Sequence, residues 1–73
     1  MGAIRNEIRR LRFEHGEMTQ QQLADKIHVT RQTVNAIEQG KYSPSLEAAF
    51  RIAEVFGVPL EQVFQYKSAQ GPS

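Results

Sequence analysis

The sequence predicts an all-α domain of five short helices, with one short strand possible near its C-terminal end. Three observations lead there. The chain has 73 residues, enough for one small domain with a modest core. Between Thr19 and Gly40 two amphipathic runs lie a few residues apart, each preceded by a threonine whose hydroxyl can accept from an unpaired N–H of the first helical turn. Leu46, Ala49, Phe50, Ala53 and Phe56 then follow the i, i+3, i+4, i+7, i+10 spacing of a helix with a broad apolar face.

Composition narrows the class. Hydrophobic residues make up 40% of the chain and charged residues 23%, the balance of a globular domain. No apolar run approaches the roughly 20 residues that cross a bilayer, and no signal peptide is evident, so a cytoplasmic protein without a membrane partner is expected. The absence of cysteine excludes disulfides and thiolate metal sites. Two isolated histidines, His15 and His28, are too few for a structural zinc centre and read as surface residues, so no metal or cofactor is expected. Net charge is only +1, but its distribution is uneven. Arg5, Arg9, Arg10 and Arg12 crowd the first helix, and from Thr30 to Ser45 only Glu38 opposes Arg31 and Lys41. Such patches can meet phosphates, although Arg5 and Arg9 equally suit a solvated outer face.

In chain order, Ile4, Ile8 and Leu11 form the apolar stripe of a first helix that Gly16 breaks. Met18 is expected to tuck into the core. Thr19 caps a second helix, Gln20 to Ile27, in which the small Ala24 between Leu23 and Ile27 suits a close helix crossing. Only His28 and Val29 remain to reverse the chain before Thr30 caps the third helix, so the two helices meet at a steep angle, as in a helix-turn-helix spanning residues 19–40. The third helix runs from about Arg31 to Gln39, with Gly40 as its left-handed C′ residue. Its burial candidates are Val34 and Ile37, which leaves Arg31, Gln32, Thr33, Asn35 and Ala36 outside. Ser45 caps the fourth helix, whose apolar face Ile52 flanks and which Gly57 ends. Pro59 opens a fifth helix through Phe64, contributing Leu60, Val63 and Phe64. A domain of residues 1–67 with a flexible tail, 68–73, is expected.

Thr19, Gln20, Leu23, Ala24, Ile27, Val29, Thr30, Val34, Ile37, Glu38 and Gly40, followed by Pro44, Ser45 and Leu46, resemble the Cro and phage-repressor type of helix-turn-helix transcription factors. The likeness spans about residues 4 to 65. It implies a compact five-helix DNA-binding domain whose third helix enters the major groove. Arg31, Gln32, Thr33 and Asn35 match base-reading positions: arginine can fork onto guanine, and glutamine or asparagine onto adenine. Arg12, Thr19, Gln20, Lys41, Tyr42 and Ser43 match positions that contact phosphates. Arg12 and Glu38 match an ion pair between the first and third helices. Where many relatives carry glycine this chain has His28, at a position that often takes positive φ.

The resemblance implies sequence-specific binding of double-stranded DNA by a homodimer on a palindromic operator, as a transcriptional regulator and more specifically a repressor. Val63, Phe64 and Tyr66 are the candidate dimer interface. They suit the monomer's own core as well, and Phe64 to Lys67 could be a strand paired across a dimer or with the N-terminus. An alternative is an antitoxin or anti-repressor type module, with a regulatory protein as partner, that also binds DNA. An enzyme is not expected: the chain has no phosphate-binding glycine loop and no nucleophile with an evident base beside it. Nor is a small-molecule ligand.

Overall fold

The computed structural model describes residues 3–67; the expected tail, 68–73, lies outside the described residues. Five helices and a two-stranded sheet follow in the order β1 (Ala3–Asn6), α1 (Ile8–Glu14), α2 (Gln20–Ile27), α3 (Arg31–Glu38), α4 (Leu46–Phe56), α5 (Leu60–Val63) and β2 (Phe64–Lys67). No helix among the described residues is long and apolar enough to cross a membrane.

Local chemistry explains where the helices start and stop. Thr19 and Gln22 form a reciprocal capping box: Gln22 N donates to Thr19 Oγ1 at 3.0 Å, and Thr19 N donates to Gln22 Oε1 at 2.9 Å. Thr30 Oγ1 accepts from Thr33 N at 3.1 Å, and Ser45 Oγ from Ala48 N at 3.1 Å. Each such cap stabilises its helix by about 1 kcal/mol. At the other end of α3, Gly40 takes φ 74° while Lys41 N donates to Ala36 O at 2.9 Å and Gly40 N to Ile37 O at 3.0 Å. These two bonds satisfy carbonyls that the helix leaves open. His28 takes the left-handed conformation, φ 63°, and Val29 N donates to Ala24 O at 3.0 Å, so the turn forms with an imidazole where glycine would be unstrained. Glu17, with φ 56°, is a second left-handed residue other than glycine, one that the sequence does not announce.

The start of the chain departs from expectation. Ile4 belongs to β1 and not to the first helix, which begins only at Ile8. β1 pairs antiparallel with β2 in the register Ile4↔Tyr66, Arg5↔Gln65 and Asn6↔Phe64. The i, i+4 spacing of Ile4 and Ile8 is coincidental, because a partner strand from the far end of the chain holds the backbone extended. Of the two pairings open to Phe64–Lys67, the one with the N-terminal segment is formed.

The core joins Ile8 and Leu11 of α1, Leu23, Ala24 and Ile27 of α2, Val34 and Ile37 of α3, Ile52, Ala53 and Phe56 of α4, and Val63 of α5. Met18, Val29, Val55, Val58, Leu60 and Phe64 pack against its margin. Val63 is fully buried in this core, which removes it from any interface with a second chain; of the three interface candidates, Phe64 is half-buried and Tyr66 is 71% exposed. Two further corrections concern α4. Leu46 is 69% and Phe50 54% exposed, whereas Ile52 is buried. The helix turns Ala49, Ile52, Ala53 and Phe56 inward, Leu46 lies in its first turn beyond the reach of the core, and Phe50 sits on the shoulder of the buried face. The amphipathic stripe sets a direction, but how far it is covered depends on the neighbours.

Candidate nucleic-acid interface

Val34 and Ile37, 1% and 2% exposed, pin α3 to the core, and the helix leaves Arg31, Gln32 and Asn35 on the surface with Gln39 just beyond its end. Thr33 and Ala36 are half-buried. Thr33 is also engaged locally, its Oγ1 lying 3.0 Å from Thr30 Oγ1. Two donors in the first turn, Arg31 and Gln32, and one carboxamide a turn later, Asn35, therefore share one exposed face.

This face is held from three directions. Arg12 of α1 donates to Glu38 through Nε (2.7 Å to Oε2) and Nη2 (3.1 Å to Oε1), while its Nη1 donates to Met18 O at 2.7 Å. The side chains are 15% and 8% exposed, so the fork is largely screened from water and joins α1, the turn before α2 and the end of α3. Gln20, the first residue of α2, adds two bonds, Nε2 donating to Glu38 Oε1 at 3.3 Å and to Asn35 Oδ1 at 3.2 Å. Asn6 closes the far end: its Nδ2 donates to Ile37 O at 3.0 Å and Glu38 O at 3.4 Å, and its Oδ1 accepts from Ile8 N at 3.2 Å. One asparagine thus ties β1, the start of α1 and the last carbonyls of α3. Its role is not readable from helix three; the available signal is an asparagine two residues before a helix.

The expected phosphate-contacting residues divide. Lys41, Tyr42 and Ser43 are exposed in the loop leaving α3. Thr19 is exposed at the start of α2, where the N–H groups of Gln20 and Gln21 precede the first helical hydrogen bond, Leu23 N to Thr19 O. The side chains of Arg12 and Gln20, by contrast, turn inward to Glu38. Among the N-terminal arginines, Arg10 is paired with Glu7 at 3.2 Å and Glu14 at 3.1 Å, and its guanidinium pKa is raised by hydrogen bonds first to Glu7 and then to Glu14. Arg51 pairs with Glu47 at 2.7 Å. Among the described residues, Arg9 and Arg31 make no ion pair. Arg9 borders a polar cleft with Asn6, Gln20, Asn35 and Gln39.

His15 is exposed but not idle. Its Nδ1 lies 2.8 Å from Leu11 O and its Nε2 3.1 Å from Phe56 O, with the ring 5.1 Å from that of Phe56, so it links the ends of α1 and α4.

Comparison with known proteins bears on the family and the fold. The helix-turn-helix family model matches residues 8–63. An uncharacterized HTH-type transcriptional regulator of Methanocaldococcus jannaschii is 48% identical over 64 residues, covering 88% of this chain and 96% of its own. Another from Methanothermobacter thermautotrophicus is 52% identical over 54 residues, covering 74% of this chain and 77% of its own. The transcriptional repressor RstR of the cryptic phage CTXphi, from Vibrio cholerae, is 36% identical over 58 residues, covering 80% of this chain and 51% of its own. The crystal structure of a candidate DNA-binding protein from Bacteroides fragilis superposes with a TM-score of 0.73 at 22% identity, covering 85% of this chain and 98% of that one, a likeness of fold. The chain belongs to the Cro and phage-repressor type of helix-turn-helix transcriptional regulators, a family of regulators and not of enzymes.

Proposed function

We propose that the protein binds duplex DNA sequence-specifically as a symmetric homodimer and represses transcription from a palindromic operator. The observation that carries the reading is the polar face of α3: Arg31, Gln32 and Asn35 stand on a helix fixed by Val34 and Ile37 below and by Arg12, Gln20 and Asn6 at its sides. A rigid helix bearing side chains that pair with base edges suits the major groove, with Thr33 offering a methyl group to thymine. The open N–H groups of α2, Thr19 and the loop Lys41, Tyr42, Ser43 then lie at either side as phosphate contacts. DNA as the partner implies a cytoplasmic site of action.

One such domain reads only a few base pairs, and a two-fold dimer doubles the site. Two grooves sharing Ile4, Pro44, Phe64 and Tyr66, and extended by Tyr42 and Leu46, form an apolar surface suited to a second copy. Ile4, Tyr42, Leu46 and Tyr66 are 46%, 55%, 69% and 71% exposed, more apolar surface in one place than a monomer gains by showing. In-vitro selection from random duplex DNA is expected to return a palindrome with half-sites about 34 Å apart, and sedimentation to report two chains. An unenriched pool, or a monomer that binds one half-site, would refute the proposal.

A further inference from the structure

On the α3 face one side chain has the orientation of its amide settled by a charge two contacts away. Glu38, gripped by Arg12 through both carboxylate oxygens, can only accept. The end of Gln20 that meets Glu38 Oε1 at 3.3 Å must therefore be its NH2 group. That same Nε2 lies 3.2 Å from Asn35, so the atom facing it must be the carbonyl Oδ1, and Gln39 Nε2 approaches the same oxygen at 3.4 Å. The two ends of a carboxamide are otherwise assigned only by their partners, and here the partners form an unbroken sequence from an ion pair. Asn35 Nδ2 has no partner among the described residues, and the residue is exposed.

Given the proposed base-reading role of α3, we infer that Asn35 is a donor-only specificity residue that selects guanine, with Gln20 as its positioning residue. The adenine fork needs the asparagine oxygen to accept from N6 while the nitrogen donates to N7. In this chain the oxygen is already bonded to Gln20 and Gln39. What Asn35 offers to the groove is an NH2 group, and guanine meets it with two acceptors, N7 and O6, where adenine places a donor beside its N7.

The test is in-vitro selection from random duplexes with the full chain and three variants, each checked by thermal melting. Asn35→Ala marks the base position that depends on this residue, and the unmodified protein should select guanine there. Gln20→Met removes the bond to Oδ1, frees the amide to turn, and should lower the guanine-over-adenine ratio at that position by about tenfold. Asn35→Asp keeps the shape but turns an acceptor outward, and should move the preference to cytosine, whose N4 donates. Selection of adenine by the unmodified protein overturns the inference, as does an Asn35→Ala variant with unchanged preference at every position. A Gln20→Met variant that loses affinity evenly and keeps its base preference also overturns it, leaving Gln20 a structural or phosphate contact. If the unmodified protein enriches no duplex, the proposed function fails and the inference fails with it.

Discussion

Replacing Glu38 with alanine should be among the most damaging single changes outside the apolar core. The carboxylate accepts three hydrogen bonds, two from Arg12 and one from Gln20, and its loss strands a guanidinium that is 15% exposed with Met18 O as its one remaining partner among the described residues. Both side chains are too enclosed for water to substitute freely, and breaking such a pair from one side costs about 3–5 kcal/mol. Because part of the guanidinium remains wet, the lower end, about 3 kcal/mol, is expected. A chain of this size has roughly 4–11 kcal/mol of stability in all, so the variant should melt about 12–24 °C lower. The double replacement Arg12→Met, Glu38→Leu removes both charges and restores packing, and should return to within about 1 kcal/mol of the parent. Circular-dichroism melts of the parent, the Arg12→Met and Glu38→Leu single variants and the double variant close the cycle and give the coupling directly. A loss below about 1 kcal/mol for Glu38→Ala would mean that the fork behaves as a solvent-screened surface bridge, and the account of how α3 is held would be wrong.

Other expectations concern single positions. Gln32→Ala should cost roughly 1–3 kcal/mol on a selected site and relax base choice at one position; equal losses on selected and random duplexes would remove Gln32 from base reading. Lys41→Ala should weaken binding to all sequences alike and reduce the log–log salt slope by about 0.9, so an unchanged slope would mean no phosphate contact there. His28→Gly should raise the urea midpoint by an amount equivalent to about 1 kcal/mol, since glycine takes the left-handed conformation without the steric cost borne by an L residue; a lower midpoint would show that the imidazole earns its place. Leu46→Glu, on a residue 69% exposed, should halve the sedimenting mass without disturbing the monomer's helical signal; a dimer that survives it must use another face.

Legibility in the sequence followed the range of the interaction. Thr19, Thr30 and Ser45 are readable as caps because a hydroxyl and the N–H it accepts from lie three residues apart, and the ends of α2, α3 and α4 follow. Ile4 misled because its i+4 relation to Ile8 is a local pattern, while the force that fixes it comes from β2 at the other end of the chain. Leu46 and Phe50 carry the right spacing for burial, but no element among the described residues covers them. The Arg12–Glu38 pairing entered through family likeness, since nothing in a separation of 26 residues implies it. Asn6 and Gln39 lie beyond that kind of reading: a carboxamide has no periodic signature, and its partners are known only once the backbone is closed.

The pairing of β1 with β2 also orders events in time. The helices α1 to α4 can nucleate from contacts made within a few turns of chain, whereas Ala3 must find Lys67 across the whole described length. During synthesis β1 emerges first and has no strand to pair with until β2 follows. The Asn6 clamp on the carbonyls of Ile37 and Glu38 is carried on that strand. A nascent chain therefore acquires its helices before it acquires the brace at the end of α3, and a chain released shortly before Phe64 would carry α3 already formed but loosely mounted.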